Sequence, residues 1–169
     1  MPDDPPPDTC PDRGFRPRAL GEIAIRCADR AGMAAFYRDV IGLEPLDGFH
    51  NPAITFLRIG AGYGGHTAVL ALFSAEPGAA APATGAGSSL HHIALSLPFA
   101  EQEAAMRWFD RLGQPYRVEQ FGWIGWRGVF TLDPEGNTVE LVAYDASMLD
   151  APGSAPRRNT GRPGSDRSG

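Results

Sequence analysis

The chain contains one local pattern twice, and that repeat restricts its fold more than any other feature. Leu20-Gly21-Glu22-Ile23-Ala24-Ile25-Arg26 is matched 70 residues on by Leu90-His91-His92-Ile93-Ala94-Leu95-Ser96. Each segment alternates apolar with other residues, the signature of a strand with one greasy face. Each is followed by a helical pattern that stops at a glycine. In the first copy Asp29 is the expected N-cap, and Met33, Phe36, Tyr37, Val40 and Ile41 form an apolar stripe ahead of Gly42. In the second, Met106, Trp108, Phe109 and Leu112 precede Gly113. A period of this size marks two copies of one supersecondary unit.

Further strands complete each copy. Residues 53–59 and 67–73 flank the glycine-rich run Gly60-Ala61-Gly62-Tyr63-Gly64-Gly65, a hairpin signal. Residues 128–132 and 138–143 flank Asp133-Pro134-Glu135-Gly136-Asn137, which suits a tight turn. Residues 116–121 supply another strand, and 44–48 its counterpart in the first copy. The last strands repeat as well, with Val69-Leu70-Ala71-Leu72 matched by Thr138-Val139-Glu140-Leu141. The expected fold is α+β: two βαβββ modules forming a cup-shaped mixed or antiparallel sheet, with helices packed outside. The modules span 18–75 and 89–146, joined by an Ala/Gly/Pro-rich linker at 76–88. The Pro/Asp-rich leader 1–17 and the Gly/Pro/Ser/Arg-rich tail 147–169 bury too little apolar surface to offset the entropy of ordering, and are expected to be disordered.

Side chains alternate across a strand, so parity decides which residues share a face. Glu22, Ala24 and Arg26 oppose Ile23 and Ile25. His92, Ala94 and Ser96 oppose Ile93 and Leu95, and Thr138, Glu140 and Val142 oppose Val139 and Leu141. If the aliphatic faces pack on the helices, Glu22, His92 and Glu140 are expected together on the concave face. His91 has the other parity and is expected at the surface or on the helix side, with His50 and His66 also at the surface.

Charge and composition remove several functions. The net charge is −5, which argues against a general nucleic-acid surface. All 15 basic residues are Arg, so lysine Schiff-base chemistry and a P-loop lysine are excluded. Only Cys10 and Cys27 are present, too few for a disulfide framework, and a reducing cytoplasm is the simpler expectation. No segment approaches the roughly 20 apolar residues that span a bilayer. The expected partner is a small molecule, with neither nucleic acid nor membrane involved.

Four segments in order resemble the vicinal oxygen chelate superfamily, which includes glyoxalase I, extradiol dioxygenases and the fosfomycin and bleomycin resistance proteins. They are Glu22-Ile23-Ala24-Ile25-Arg26, Phe36-Tyr37-Arg38-Asp39-Val40-Ile41-Gly42-Leu43, His92-Ile93-Ala94-Leu95, and Asp133-Pro134-Glu135-Gly136-Asn137-Thr138-Val139-Glu140-Leu141. The resemblance implies a divalent metal held from the first and last strands of each module, at positions occupied here by Glu22, Ala71, His92 and Glu140. Ala71 departs from the four-ligand glyoxalase pattern, and Glu22 departs from the two-histidine triad of the dioxygenases. Two carboxylates and one imidazole suit Mn²⁺, Fe²⁺, Ni²⁺, Zn²⁺ or Mg²⁺, with positions left open for adjacent substrate oxygens. Glu22 and Glu140 are then also the expected catalytic carboxylates. Arg26, Phe121, Trp123 and Trp126 are candidates for substrate binding, although packing explains the aromatics equally well. The alternative function is a metal-free sequestering module of the bleomycin-resistance type, in which Arg26 neutralises Glu22 and Glu140. Relatives often pair between chains, so a homodimer is a further expectation.

Overall fold

The computed structural model describes residues 14–47 and 51–150. Most of the leader and tail, together with Cys10 and His50, lie outside those residues. The first module runs β1 (Glu22–Cys27), α1 (Arg30–Phe36), β2 (Glu44–Pro45), β3 (Ile54–Ala61) and β4 (Thr67–Ser74). The second runs β5 (Ile93–Ser96), α2 (Gln102–Leu112), β6 (Tyr116–Phe121), β7 (Trp126–Leu132) and β8 (Thr138–Tyr144). Both βαβββ units are therefore present. They give two four-stranded mixed sheets, ordered β1-β4-β3-β2 and β5-β8-β7-β6. In each sheet the first strand pairs parallel to the last, and the other pairings are antiparallel.

The helices start and stop where local chemistry dictates. Asp29 Oδ1 accepts from the Gly32 amide at 3.0 Å, which satisfies one of the orphan donors at the start of α1. After Phe36 the chain continues through a π-helical turn, Tyr37–Ile41, and stops at Gly42 with φ of 90°. Helix α2 stops at Gly113 with φ of 65°. Only glycine adopts such angles without steric cost, so both glycine stops in the sequence mark real ends.

The aliphatic faces of both sheets meet in one core. Leu57, Leu70 and Leu72 of the first module join Ile93, Leu95, Val129, Val139 and Leu141 of the second, with Met33, Phe36, Tyr37 and Phe109 from the helical segments among them. Polar contacts cross the same layer. Tyr37 Oη donates to Asp133 Oδ2 at 3.0 Å, the Asp29 amide to Glu135 Oε1 at 2.7 Å, and Trp108 Nε1 to the Val40 carbonyl at 3.2 Å. The helices thus pack on the aliphatic side of each sheet, and the polar face of each sheet is turned away from the shared core. Residues 147–150, at the start of the tail, fold back onto the second module, where the Asp150 amide donates to the Gly122 carbonyl at 2.8 Å. No helix of the described residues is long and apolar enough to cross a membrane.

Candidate metal centre

The outward face of the second sheet carries the chemistry. Strand register places Ala94, Glu140, Phe130 and Arg117 in one row across β5, β8, β7 and β6. His92 immediately precedes β5, and its Nε2 lies 3.1 Å from Glu140 Oε2. Its Nδ1 lies 2.7 Å from Nδ1 of His91. The ring meets Phe130 edge to face at 6.1 Å, and Phe130 in turn meets Phe121 at 6.4 Å.

Glu140 is the unusual group. It is only 4% exposed, and burial pushes its carboxyl pKa up, against the pull of His92 and Arg117. The space it occupies exists because residue 128 is glycine: a Cβ there would collide with Glu140 Oε1 and with the edge of Phe130. A buried carboxylate facing an imidazole is a donor set that fits a divalent cation. Two donors each about 2.1 Å from one ion, at right angles, stand about 3.0 Å apart. The observed 3.1 Å matches that separation.

Glu22 does not join this pair within the chain. It lies on the exposed outward face of β1, with Ala24 and Arg26, in the other sheet. Among the described residues no group of three His, Cys, Asp or Glu is placed to hold a metal ion. The physical reason is the shared core, which sets the sheets back to back and turns their polar faces in different directions. Ala71 is fully buried and pairs with Ala24, so the fourth position offers a methyl group and no donor. No ion pair joins Arg26 to Glu22 or Glu140 among the described residues; Glu140 faces His92 instead.

The aromatic candidates divide. Phe121 and Trp126 pair at the open end of the sheet bearing Glu140, and Phe121 reaches Phe130. Trp123 sits on the connecting turn and is 72% exposed. His91 is exposed, as expected of a surface histidine, and from there its Nδ1 comes within 2.7 Å of His92 Nδ1. His66 is exposed as expected, with its ring against Gly21 beside Glu22. The sequence pattern did not single out Phe130, Gly128 or Arg117. Phe130 was accessible in principle, because a hairpin symmetric about Glu135 puts it opposite Glu140. Cys27 is no nucleophile: burial, with Glu135 and Asp133 nearby, pushes its thiol up to about 12.

Residues 19–141 match the family model described as Glyoxalase/Bleomycin resistance protein/Dioxygenase superfamily. No curated protein matches the chain. Among solved structures, a lactoylglutathione lyase from Agrobacterium tumefaciens is 26% identical, covering 76% of this chain and 96% of its own, with a TM-score of 0.56. A glyoxalase/dioxygenase from Nostoc punctiforme is 20% identical over 76% of this chain and 92% of its own, with a TM-score of 0.57. A fosfomycin resistance protein from Listeria monocytogenes, complexed with Mn(II) and a dihydroxypropylphosphonic acid, is 17% identical over 76% and 94%, with a TM-score of 0.56. The matched span takes in β1 to β7, both helices and the first part of β8, and the chain belongs to the glyoxalase/bleomycin resistance protein/dioxygenase superfamily.

Proposed function

We propose that this protein is a divalent-metal-dependent enzyme acting on a small substrate held through two adjacent oxygens. His92 and Glu140 of one chain supply two ligands, and Glu22 of a second copy supplies the third. The observation that carries this reading is the buried Glu140 carboxylate, 3.1 Å from His92 Nε2 in a space kept open by Gly128. Burial disfavours the charged form of this carboxylate, and a divalent cation shared with His92 would offset that cost. The placement of Glu22 on an exposed outward face supports a partner-supplied donor.

When bound, the metal would act as a Lewis acid that stabilises an enolate or another oxyanion. The chain's own residues do the rest. His92 and Glu140 fix the donor positions, and Phe130 and Phe121 wall the site against water. Trp126 flanks its open end, beside Trp123 on the turn. Ala71 leaves the fourth family position without a donor, so more of the coordination sphere is left to substrate. The similarity to a lactoylglutathione lyase and to a fosfomycin resistance protein complexed with Mn(II) supports this reading without fixing the reaction.

The test is metal content and thermal shift of tag-free protein with Mn²⁺, Ni²⁺, Zn²⁺ and Fe²⁺. Wild type is expected to bind one ion per chain, and His92→Ala or Glu140→Gln to lose it. Glu22→Gln and His92→Ala chains, each inactive in binding, should recover partial metal binding when refolded together. No bound ion and no thermal shift in wild type would overturn the reading. That result would favour a metal-free sequestering module, to which Ala71 and the two-donor set within one chain also point.

A further inference from the structure

We infer that Arg117 is the receptor for an anionic group on the substrate, so that the site selects small molecules carrying a carboxylate or phosphonate close to the two chelating oxygens. This assignment rests on the metal-dependent reading above. Strand register sets the geometry. Arg117 on β6 is paired with Phe130 on β7, which is paired with Glu140 on β8, and all three share the outward face. The Arg117 side chain does not extend away along β6. Its guanidinium carbon lies 4.2 Å from the centre of the Phe130 ring, which brings the charge to the strand next to Glu140. Adjacent strands lie about 4.8 Å apart, so the cation stands about one strand spacing from the ligand strand. A substrate chelated at His92 and Glu140 therefore crosses Phe130 to reach Arg117.

Two further observations fit an anion receptor. Arg127, on β7, is the other arginine of this sheet, and it is engaged on the helix side. There its Nε donates to Gln102 Oε1 at 2.7 Å and its Nη1 pairs with Glu103 at 2.9 Å. Among the described residues of this sheet, that leaves Arg117 as the arginine on the outward face. Its side chain is half exposed, open to a ligand, and its ion pair there is with Glu119 on the same strand. Glu119 is the more covered partner, with 22% of its side chain exposed, and the five N–H donors of the guanidinium exceed what one carboxylate takes up, so donors remain for a carboxylate or phosphonate. The guanidinium is planar and matches either anion with two parallel hydrogen bonds. Stacking on Phe130 holds it in that orientation.

The experiment uses Mn²⁺-loaded full-length protein and three hydroxamates as probes, measured by calorimetry. Acetohydroxamate presents two adjacent oxygens and no anion. Malonohydroxamate adds a carboxylate, and phosphonoacetohydroxamate adds a phosphonate. Wild type is expected to bind one or both anionic probes at least tenfold more tightly than acetohydroxamate, and which one wins identifies the anion. Arg117→Gln should reduce that preference to under threefold, with the loss falling on the anionic probes. Glu119→Gln, which frees the guanidinium, should increase the preference. Equal binding of all three probes by wild type, or a preference unaltered in both variants, overturns the assignment while leaving the metal reading in place. Failure of acetohydroxamate itself to bind overturns both.

Discussion

Gly128→Ala tests whether the Glu140 site is shaped by a missing side chain. The added Cβ would lie 2.6 and 2.9 Å from two edge carbons of Phe130, and closer still to Glu140 Oε1. Ordinary carbon contact begins near about 3.5 Å, so the ring must give way by about 0.6–0.9 Å. It has little room to do so, with the His92 and Phe121 rings in T-shaped contact with it and the Arg117 guanidinium over its face. Overpacking of this kind costs about 1–3 kcal/mol. For a chain of this size each kcal/mol moves the melting temperature by about 2–4 °C, so a fall of about 2–12 °C is expected. The displaced carboxylate should also weaken metal binding by about tenfold or more, the scale of losses seen when ligand support is removed. Gly60→Ala is the control, because nothing lies within 4 Å of a Cβ at that position. Differential scanning calorimetry reads the stability, and calorimetric titration with Mn²⁺ reads the site. A Gly128→Ala protein that melts as wild type does and binds Mn²⁺ equally well would refute the cradle.

Tyr37→Phe removes a buried hydrogen bond to the Asp133 carboxylate while keeping the ring, and should cost about 1.5–3 kcal/mol in urea unfolding. Burial pushes the Tyr37 hydroxyl well above its ordinary value of 10, so the unfolded chain ionises first as pH rises. That share of stability is fully present below pH 10 and falls above it, and the Phe variant should lack that part of the fall in a pH series of melts. Glu140→Gln should raise the melting temperature of metal-free protein at neutral pH while abolishing metal binding. The raised Glu140 pKa means that wild type loses stability as pH climbs from 4.5 through the folded value, so the advantage of Gln should vanish in acid. Cys27 should react with a thiol reagent only after unfolding; rapid labelling of native protein at neutral pH would contradict its burial.

Much of the fold was legible from residue order, for a physical reason in each case. Strand alternation and the two glycine stops report local backbone chemistry, and they placed both helices and most strands. The His92–Glu140 pair was legible because parity and the parallel pairing of β5 with β8 are properties of one module. The position of Glu22 was not, because alternation says which face a residue takes and nothing about which way one sheet faces another. That depends on Leu57, Leu72, Val139 and their neighbours sharing a single core, a long-range packing outcome. Gly128 was unreadable for a different reason: its contribution is an empty volume, visible only once Glu140 and Phe130 are in place.

The back-to-back sheets have a thermodynamic consequence in the proposed assembly. A chain that holds only two donors makes its metal and its second copy linked ligands, and each must raise the affinity for the other by the same factor. Dilution would then strip metal from the protein, and chelation would loosen the dimer. Occupancy of the site would follow the amount of protein in the cell as closely as the supply of the ion.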